Sequence, residues 1–400
     1  MSNFFDSGLK SDCFGCEACV QICPAGAISM KQDSEKFRYP EIDSAKCVNC
    51  FACRRVCQSQ KEIPENTHEK YAFGGHIKDS VVLNESTSGG AFSAIAESWC
   101  KENYVIFGAQ TDGLSVKHSY ITDKKELSKF RKSKYTQSVI GSAYSDAEKF
   151  LKEGRNVLFS GTPCQISALN AFLKNKKYDN LLTVEVICEG VPSPLYIDKF
   201  AEYLKSKHGS DVESIDYRFK NENKWDFEAM KVMFADGRTR KKDRWFNDFW
   251  VIWLNHLMSR PSCYKCPFTT TERSADISLG DLWGVHLYCP ELYYRNRGAS
   301  LIVCSTEKGE NAVREAETLL DGHELKFSDA LKYQSPMRKA ISENPKRDEF
   351  MEDLKSDKKY EEIISEWSIR PSFKLLWSKY VWGNRQKVFV WNIKNKLGKG

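Results

Sequence analysis

The chain has 400 residues, of which 41% are hydrophobic and 28% are charged, and this is enough for a globular protein with more than one domain. Sixty basic against 54 acidic residues leave a formal charge of only +6, without the basic stripe that a nucleic-acid-binding protein presents to phosphates. No window approaches the roughly 20 apolar residues of a membrane helix, and the first ten residues do not have the form of a signal peptide. We therefore expect a cytoplasmic protein without a nucleic-acid partner or a transmembrane segment.

Eight of the 15 cysteines lie within the first 57 residues, as two copies of the spacing C-x2-C-x2-C-x3-C. In a protein without an export signal, such clusters hold metal more often than they form disulfides. The spacing is that of bacterial ferredoxins with two 4Fe-4S clusters, in which the fourth cysteine of each run ligates the other cluster. The predicted ligands of the first cluster are Cys13, Cys16, Cys19 and Cys57. Those of the second cluster are Cys47, Cys50, Cys53 and Cys23.

Zinc is the alternative metal for these cysteines. Zinc knuckles come as isolated C-x2-C pairs with a longer gap, whereas this sequence has four cysteines in 11 residues, twice. The second run ends in Cys57-Gln58, where the ferredoxin pattern usually has proline, so that helix entry after this ligand is less constrained. We expect ligation itself to be unaffected.

Beyond a polar linker at residues 61–70, with a boundary near Glu65, apolar strand patterns alternate with helical patterns. The predicted strands are 104–107, 157–159, 182–187, 277–279 and 301–303. The predicted helices are 90–101, 143–153, 165–174, 195–207 and 311–320. This alternation predicts an α+β protein in which a small ferredoxin-type domain precedes a mixed α/β body. The expected domains are 1–65 (two-cluster ferredoxin type), 70–155 and 156–335 (N- and C-terminal parts of the body) and 336–400 (a C-terminal helical extension).

Neither a dinucleotide fingerprint nor a phosphate-binding P-loop motif is present in the sequence. The segment from Ser86 to Gly90 precedes an apolar helix and could cradle an anion, or it could be a helix cap without a ligand. The segment from Gly161 to Gln165 ends a predicted strand and opens a helix, where α/β sheets bind ligands. Its other interpretation is a plain βα turn with a buried, inert Cys164.

Several separate stretches of the body resemble the family of coenzyme F420 hydrogenase/dehydrogenase beta subunits. They follow one another in that family's order over residues 71–309 and are 86–90, 132–135 with Gln137-Ser138, 161–165, 188–194, Cys263-Tyr264-Lys265-Cys266, Arg273 with Asp276, 280–284 and 298–301. The resemblance implies a flavin, generally FAD, held in the body, with iron-sulfur clusters that exchange electrons with it.

The resemblance also implies which residues contact the flavin. They are Ser86, Ser88, Gly89, Gly90, Lys132, Ser133, Lys134, Tyr135, Gly161, Thr162, Pro163 and Gln165. Without the resemblance, residues 132–135 would indicate only a solvated basic helix face. Asp276, Asp281 and Trp283 belong to a stretch that either shapes the flavin site or has a structural duty.

A third 4Fe-4S cluster in the body is a further expectation. Cys164 and Cys188 each follow a predicted strand, and Cys263 forms a C-x2-C pair with Cys266, so that the carboxyl edge of the sheet could bring the four together. The alternative is that these are single buried cysteines. For Cys100, Cys289 and Cys304 we expect buried packing. No histidine is assigned a catalytic role, and the catalytic residues stay unassigned.

These features predict an iron-sulfur flavoprotein oxidoreductase. It would relay electrons from ferredoxin or another redox protein through the N-terminal clusters to FAD, and on to an unidentified acceptor, which is the deazaflavin coenzyme F420 in some relatives. One alternative is a non-catalytic electron-transfer subunit that binds a catalytic partner subunit. Another is a cluster-bearing scaffold without flavin.

Overall fold

The computed structural model describes residues 4–60, 63, 65–220, 229–293 and 298–380, with scattered positions between 386 and 397. Three positions of the predicted linker, Lys61, Glu62 and Pro64, lie outside the described residues, as does most of the chain beyond 380. The strands of the described residues are β1 (Ile28–Gln32), β2 (Arg38–Ile42), β3 (Tyr71–Ile77), β4 (Tyr104–Asp112), β5 (Ser115–Ile121), β6 (Asn156–Gly161), β7 (Leu181–Val186), β8 (Val212–Asp216), β9 (Met230–Phe234), β10 (Thr239–Lys242), β11 (Ile277–Asp281), β12 (Ser300–Cys304) and β13 (Leu320–Glu324).

The helices vary from single turns to the 15 residues of α8. Those of the described residues are α1 (Phe4–Ser7), α2 (Ala18–Gln21), α3 (Ala52–Val56), α4 (Ser80–Asn84), α5 (Ala91–Trp99), α6 (Ala143–Lys152), α7 (Pro163–Phe172), α8 (Pro194–His208), α9 (Trp250–Trp253), α10 (Val285–Tyr288), α11 (Pro290–Tyr293), α12 (Glu307–Ala316), α13 (Phe327–Leu331), α14 (Arg347–Lys355), α15 (Tyr360–Trp367) and α16 (Phe373–Tyr380). No helix of the described residues combines the length and the apolar character needed to cross a bilayer.

The N-terminal module repeats one local structure, as its cysteine spacing does. A cysteine-rich loop leads into α2 in the first copy and into α3 in the second, and the N-cap residues Glu17 and Phe51 both adopt left-handed backbone angles, with φ of 59° and 56°. The hairpin β1–β2 joins the two copies, with Ile28 opposite Ile42. The left-handed residue turns the chain sharply, so that three closely spaced thiols can face one point.

An eight-stranded sheet forms the body, in the order β13-β3-β12-β11-β7-β6-β4-β5. Its centre is parallel, since β6 pairs in parallel with β4 and β7, and β7 pairs in parallel with β11. The carboxyl ends of these strands therefore meet at one edge. All five predicted strands and all five predicted helices are present, so the prediction of a mixed α/β body is confirmed. Strands from both predicted parts of the body contribute to this sheet.

A second, aromatic core lies beside the sheet. The small antiparallel sheet β10-β9-β8 packs with α8, α9, α14 and α15 around fully buried Tyr196, Phe200 and Phe249. The segment after 336 contains the helices α14, α15 and α16, joined by irregular stretches, and α14 and α15 are part of this core.

The N-terminal module packs directly on the body, through contacts of α2 and α3 with α6 and α7. Gln58, the residue that replaces the usual proline, is 1% exposed and accepts a hydrogen bond of 2.5 Å from Ser167 of α7. Gln137 donates to the Phe14 carbonyl at 2.7 Å. At Gly15 a side chain would lie 2.7 Å from the Gln137 amide nitrogen, and φ is +63°, so glycine is required there for the module to dock.

Candidate iron-sulfur and flavin site

The first group of predicted cluster ligands surrounds one cavity, which we call site I. The cavity has about 360 Å³ of empty volume, and its lining includes all four expected cysteines, Cys13, Cys16, Cys19 and Cys57. Burial raises the pKa of the Cys13, Cys16 and Cys19 thiols. Four sulfur donors around one cavity are the donor set of a 4Fe-4S cluster, and ionising such thiols requires a cationic centre.

The second group surrounds a separate cavity of about 320 Å³, which we call site II. Its lining includes Cys23, Cys47, Cys50 and Cys53. Site II opens to solvent, because Cys50 is exposed and the adjoining side chains of Val48 and Phe51 are 65% and 54% exposed. The crossed pairing that the sequence predicts, with Cys57 beside the first run and Cys23 beside the second, is thus the arrangement around the two cavities.

The four body cysteines also converge, and we call them the body group. Cys164 lies in the first turn of α7, after β6, and Cys188 lies two residues after β7, the neighbouring parallel strand. Cys263 belongs to the short 3₁₀ turn Pro261–Lys265, and Cys266 directly follows this turn. Burial is the main reason that the pKa of Cys188 lies well above its ordinary value, and the neighbouring Cys263, Cys164 and Cys266 raise it further. Burial raises the pKa of Cys263 to about 11 and that of Cys266 to about 12.

The loop that carries Cys188 repeats the local geometry of the loop that carries Cys13. In both loops the backbone N–H two residues later donates to the cysteine sulfur at 3.4 Å, from Gly15 in the module and from Gly190 in the body. Both glycines have positive φ, +63° and +91°. Such N–H···S bonds are found around iron-sulfur clusters, where they help to set the reduction potential.

The three cysteine groups form a series. Cys53 of site II contributes to the raised pKa of Cys19 of site I, and Cys164 of the body group contributes to the raised pKa of Cys16 of site I. In both cases burial is the larger cause. Site I therefore lies between site II and the body group.

Arg260 separates site I from the body group and is only 1% exposed. Its guanidinium donates to the Cys13 carbonyl at 2.8 Å, approaches Cys13 Sγ at 3.5 Å and lies 4.5 Å from the centre of the Tyr39 ring. It forms no ion pair with a carboxylate among the described residues. A buried cation is costly unless negative charge lies near it. The thiolate ligands of two clusters would supply that charge. Burial lowers the pKa of Arg260, but the nearby sulfurs of Cys13 and Cys263 both raise it.

The predicted cradle Ser86–Gly90 is largely occupied by internal contacts. Ser86 donates to the Val82 carbonyl, and Ser88 donates to the Ala299 carbonyl at 2.6 Å. At Gly89 a side chain would lie 2.3 Å from the Gly75 carbonyl oxygen, so this glycine allows close packing on the sheet. Gly90 is the N-cap of α5, with φ of +78°.

Residues 132–135 lie in an irregular segment and not on a helix, so the alternative of a basic helix face is wrong. The Ser133 N–H donates to Thr87 at 2.9 Å, which brings this segment beside 86–90. Lys132 forms an ion pair with Asp216 at 2.5 Å, and the Lys134 ammonium donates a hydrogen bond to the Arg131 carbonyl oxygen at 2.7 Å. Burial lowers the pKa of Lys134 to about 8.

Tyr135 belongs to a buried polar cluster at the carboxyl end of β11. Its hydroxyl lies 3.4 Å from the Arg218 guanidinium, which forms an ion pair with Asp281 at 2.8 Å. The second oxygen of Asp281, Oδ1, is buried and has no hydrogen-bond partner among the described residues. A ligand with hydrogen-bond donors, such as a flavin ring or its ribityl chain, fits this carboxylate. Asp276 instead has a structural role, because its carboxylate accepts a hydrogen bond of 2.7 Å from the Thr183 hydroxyl on the neighbouring strand.

The segment 161–165 forms the predicted strand-to-helix turn. Thr162 is the N-cap of α7, Pro163 is the first helical residue, and Gln165 completes the capping box. The Gln165 amide also donates to Ser138 at 2.9 Å, so this side chain holds the turn against the segment after 132–135. His118 lies behind Gly161, buried, with Nε2 3.0 Å from the Ser160 carbonyl. Burial lowers the pKa of His118 to about 4.

Sequence reasoning missed Arg260 and Arg218. Arg260 directly precedes the Pro261–Cys266 stretch, and a cation beside a C-x2-C pair is a signal that could have been used. Nothing in the sequence distinguishes Arg218 from other arginines, because its partner Asp281 is 63 positions away.

Comparison with known proteins agrees with this organisation. The model of the 4Fe-4S dicluster domain matches residues 12–61, and that of the C-terminal region of the beta subunit of coenzyme F420 hydrogenase/dehydrogenase matches residues 154–325. The F subunit of the F(420)H(2) dehydrogenase of Methanosarcina mazei is 23% identical over 219 residues, which cover 51% of this chain and 61% of that protein. A ferredoxin-like protein in the nif region of Trichormus variabilis is 38% identical over 42 residues, 10% of this chain and 33% of that protein.

The chain thus spans less than two thirds of the length of these curated relatives. Among solved structures, a chain of the F420-reducing NiFe hydrogenase complex from Methanosarcina barkeri is 17% identical, with a TM-score of 0.44, over 76% of this chain and 92% of that chain. The resemblance that the motifs indicate is confirmed by the two family matches. The chain therefore joins an N-terminal region that matches the 4Fe-4S dicluster domain to a body of which residues 154–325 match the C-terminal region of the beta subunit of coenzyme F420 hydrogenase/dehydrogenase.

Proposed function

We propose that this chain is an iron-sulfur flavoprotein oxidoreductase with 4Fe-4S clusters at site I, at site II and on the body group, and with a flavin at the carboxyl edge of the sheet. When bound, the clusters exchange single electrons and the flavin exchanges two, so that the body couples one-electron to two-electron chemistry. The observation that carries the proposal is the series of cysteine groups, which runs from a solvent-exposed mouth to the edge of the sheet.

The exposed mouth of site II is where we propose that a redox protein docks. Val48 and Phe51 place exposed apolar surface beside Cys50, and Arg55 donates to the Cys50 carbonyl at 3.0 Å. An apolar patch with adjoining basic side chains suits a small acidic electron carrier such as ferredoxin.

The flavin is proposed to bind beside Tyr135, Arg218 and Asp281. The unsatisfied oxygen of Asp281 supports this assignment, because a buried carboxylate oxygen needs a donor. Lys134 and the Gly161–Pro163 turn lie on segments that Ser138 and Gln165 hold together. These two segments would border the cofactor, whereas the hydroxyls of Ser86 and Ser88 keep their structural contacts.

Two measurements test the proposal on the full chain, purified and reconstituted anaerobically. Iron analysis should give roughly 12 irons per chain, and the absorption spectrum should contain flavin bands above the broad cluster absorption. Asp281→Asn should lower the flavin content without lowering the iron content. Full iron without any flavin after reconstitution would contradict the proposed flavin-dependent enzyme. The alternatives of an iron-sulfur subunit or a scaffold would then be left.

Docking at site II is tested by the rate at which reduced ferredoxin reduces the clusters. Phe51→Asp should slow this reaction at least tenfold and leave reduction by dithionite unchanged. Val81→Asp is the matched control, because Val81 is 63% exposed on α4, in the body. Equal rates for both variants would contradict docking at this mouth.

A non-catalytic electron-transfer subunit is the second candidate function. The relative from M. mazei is itself named a dehydrogenase subunit, which favours assembly with a catalytic partner. A panel of acceptors that includes coenzyme F420 separates the two functions. Turnover of an acceptor by the isolated chain supports the enzyme, whereas turnover only after a partner is added supports the subunit.

A further inference from the structure

Cys289, Glu291 and His323 form a compact polar group, remote in sequence from the cysteines of the proposed clusters. Cys289 follows α10, Glu291 lies in α11, and His323 lies on β13, the edge strand of the sheet. The Cys289 side chain is fully buried, while those of His323 and Glu291 are 45% and 50% exposed. The expectation that Cys289 is buried is thus correct, but its thiol faces two polar groups and not only the core.

The three ligand atoms form a nearly equilateral triangle. Cys289 Sγ lies 3.2 Å from Glu291 Oε1 and 3.2 Å from His323 Nε2, and the third side, from His323 Nε2 to Glu291 Oε1, is also 3.2 Å. Hydrogen bonds alone cannot satisfy this triangle. The thiol and the imidazole Nε2 offer at most one proton each to these contacts, so one of the three short contacts has no hydrogen between its atoms.

A cation at the centre satisfies all three atoms at once. Zinc binds sulfur at about 2.3 Å and imidazole nitrogen or carboxylate oxygen at about 2.0–2.2 Å, which places tetrahedral ligand atoms roughly 3.4 Å apart. The triangle needs only a small expansion to reach that spacing. The mixture of one thiolate, one imidazole and one carboxylate is also within the ligand range of zinc, whereas iron-sulfur clusters take thiolates.

We propose that Cys289, Glu291 and His323 bind one zinc ion, with the fourth position open to water. The ion would link the α10–α11 turn to the edge strand β13, and two of its ligands face solvent. Three protein ligands with one exchangeable position are typical of accessible zinc sites, whereas structural sites use four protein ligands.

X-ray absorption at the zinc edge tests the proposal on the cluster-loaded full chain, because iron does not contribute at that edge. After equilibration with zinc and removal of the excess, we expect about one zinc per chain, with one sulfur and three nitrogen or oxygen neighbours. His323→Ala and Cys289→Ala should each lower zinc retention at least tenfold. His286→Ala is the matched control in the same segment and should retain zinc.

His323→Ala is the more secure of the two variants, since this side chain is half exposed on an edge strand and its loss leaves no buried gap. A coordination shell of four sulfurs would place the zinc in the cluster cysteines and overturn the proposal. Absence of retained zinc, or equal retention in the parent and in His323→Ala, would also overturn it.

Discussion

The N-terminal module and the body both gather cysteines, but by different means. In the module, two runs of four cysteines, each 11 residues long, surround two cavities through a short repeated loop. In the body, the four cysteines are spread from Cys164 to Cys266, and parallel strands bring two of them to one edge of the sheet. The first arrangement needs a repeated local loop and one hairpin that joins the two copies, whereas the second exists only after the whole sheet has formed.

The two arrangements make the cysteine groups vulnerable to different changes. A change in the module should affect one cluster locally, while the body group depends on contacts that fix distant segments, such as those of Arg260 and Gln165. Site II also includes an exposed cysteine, Cys50, whereas the body cysteines are all partly buried. We therefore expect the module clusters to react first with outside molecules and the body cluster to respond most to the state of the fold.

Removal of a single module ligand gives the largest expected effect. Cys16→Ser or Cys50→Ser should each remove about four irons per chain, because we assign the two cysteines to different cubanes. Iron analysis and EPR after anaerobic reconstitution measure this loss. Cys100→Ala, which removes a buried cysteine outside the three groups, is the control that should keep full iron. Full iron in both serine variants would show that the crossed ligand assignment is wrong.

Replacement of Arg260 should shift a potential without loss of iron. Arg260→Met keeps the volume but removes a buried positive charge, and we expect an effect of roughly 2 kcal/mol, half the value for charges 4 Å apart at an effective dielectric constant of 20. For a one-electron couple this corresponds to about 90 mV, towards lower potential at site I.

Redox titration followed by EPR measures this shift. The control is Arg347→Met, since Arg347 also links module and body through Glu35, at 2.5 Å, but has no contact with a cysteine sulfur in the described structure. An unchanged potential in Arg260→Met, or an equal shift in both variants, would contradict the role of Arg260.

As the pH falls, the body should lose stability at a higher pH than the module. Burial lowers the pKa of His118 from 6.5 to about 4, so the unfolded chain takes up this proton below pH 6.5 while the folded chain stays neutral until about pH 4. Stability is therefore lost as the pH falls through that window, by roughly 2 kcal/mol between pH 6.5 and 5.

His118→Gln keeps a donor for the Ser160 carbonyl and removes the titrating group. EPR of the body cluster against pH should therefore show an earlier acid loss in the parent than in the variant, with the module signals as the internal reference. Identical pH profiles in the two proteins would exclude His118 as the cause.

The smallest expected effect is at the junction between the two regions. Gln58→Ala removes the buried hydrogen bond to Ser167, and we expect a loss of about 1 kcal/mol in the free energy of unfolding. A double-mutant cycle with Ser167→Ala, followed by denaturant unfolding, isolates this contact. A coupling energy near zero would mean that Gln58 does not help to hold the module.

The sequence predicts the two regions unequally. The cysteine runs of the module indicate their own pairing, because their spacing matches the two-cluster ferredoxin pattern, in which the fourth cysteine of each run ligates the other cluster. The parallel strands were also predictable, from apolar runs such as 157–159. Strand β13 and the sheet β8–β10 were not, since they contain charged residues on exposed faces and owe their stability to pairing. Arg260 has a local signal, its position beside the C-x2-C pair, but its contacts with Cys13 and Arg38 of the module could not be predicted from the sequence.

The central claim is that the body carries a cluster in series with those of the module. Its most direct test is iron analysis and EPR of Cys263→Ala/Cys266→Ala beside the parent, after anaerobic reconstitution of both. The proposed series of three clusters predicts roughly 12 irons in the parent and about eight in the variant, with the signals of both module clusters intact. Equal iron in the two proteins would contradict it.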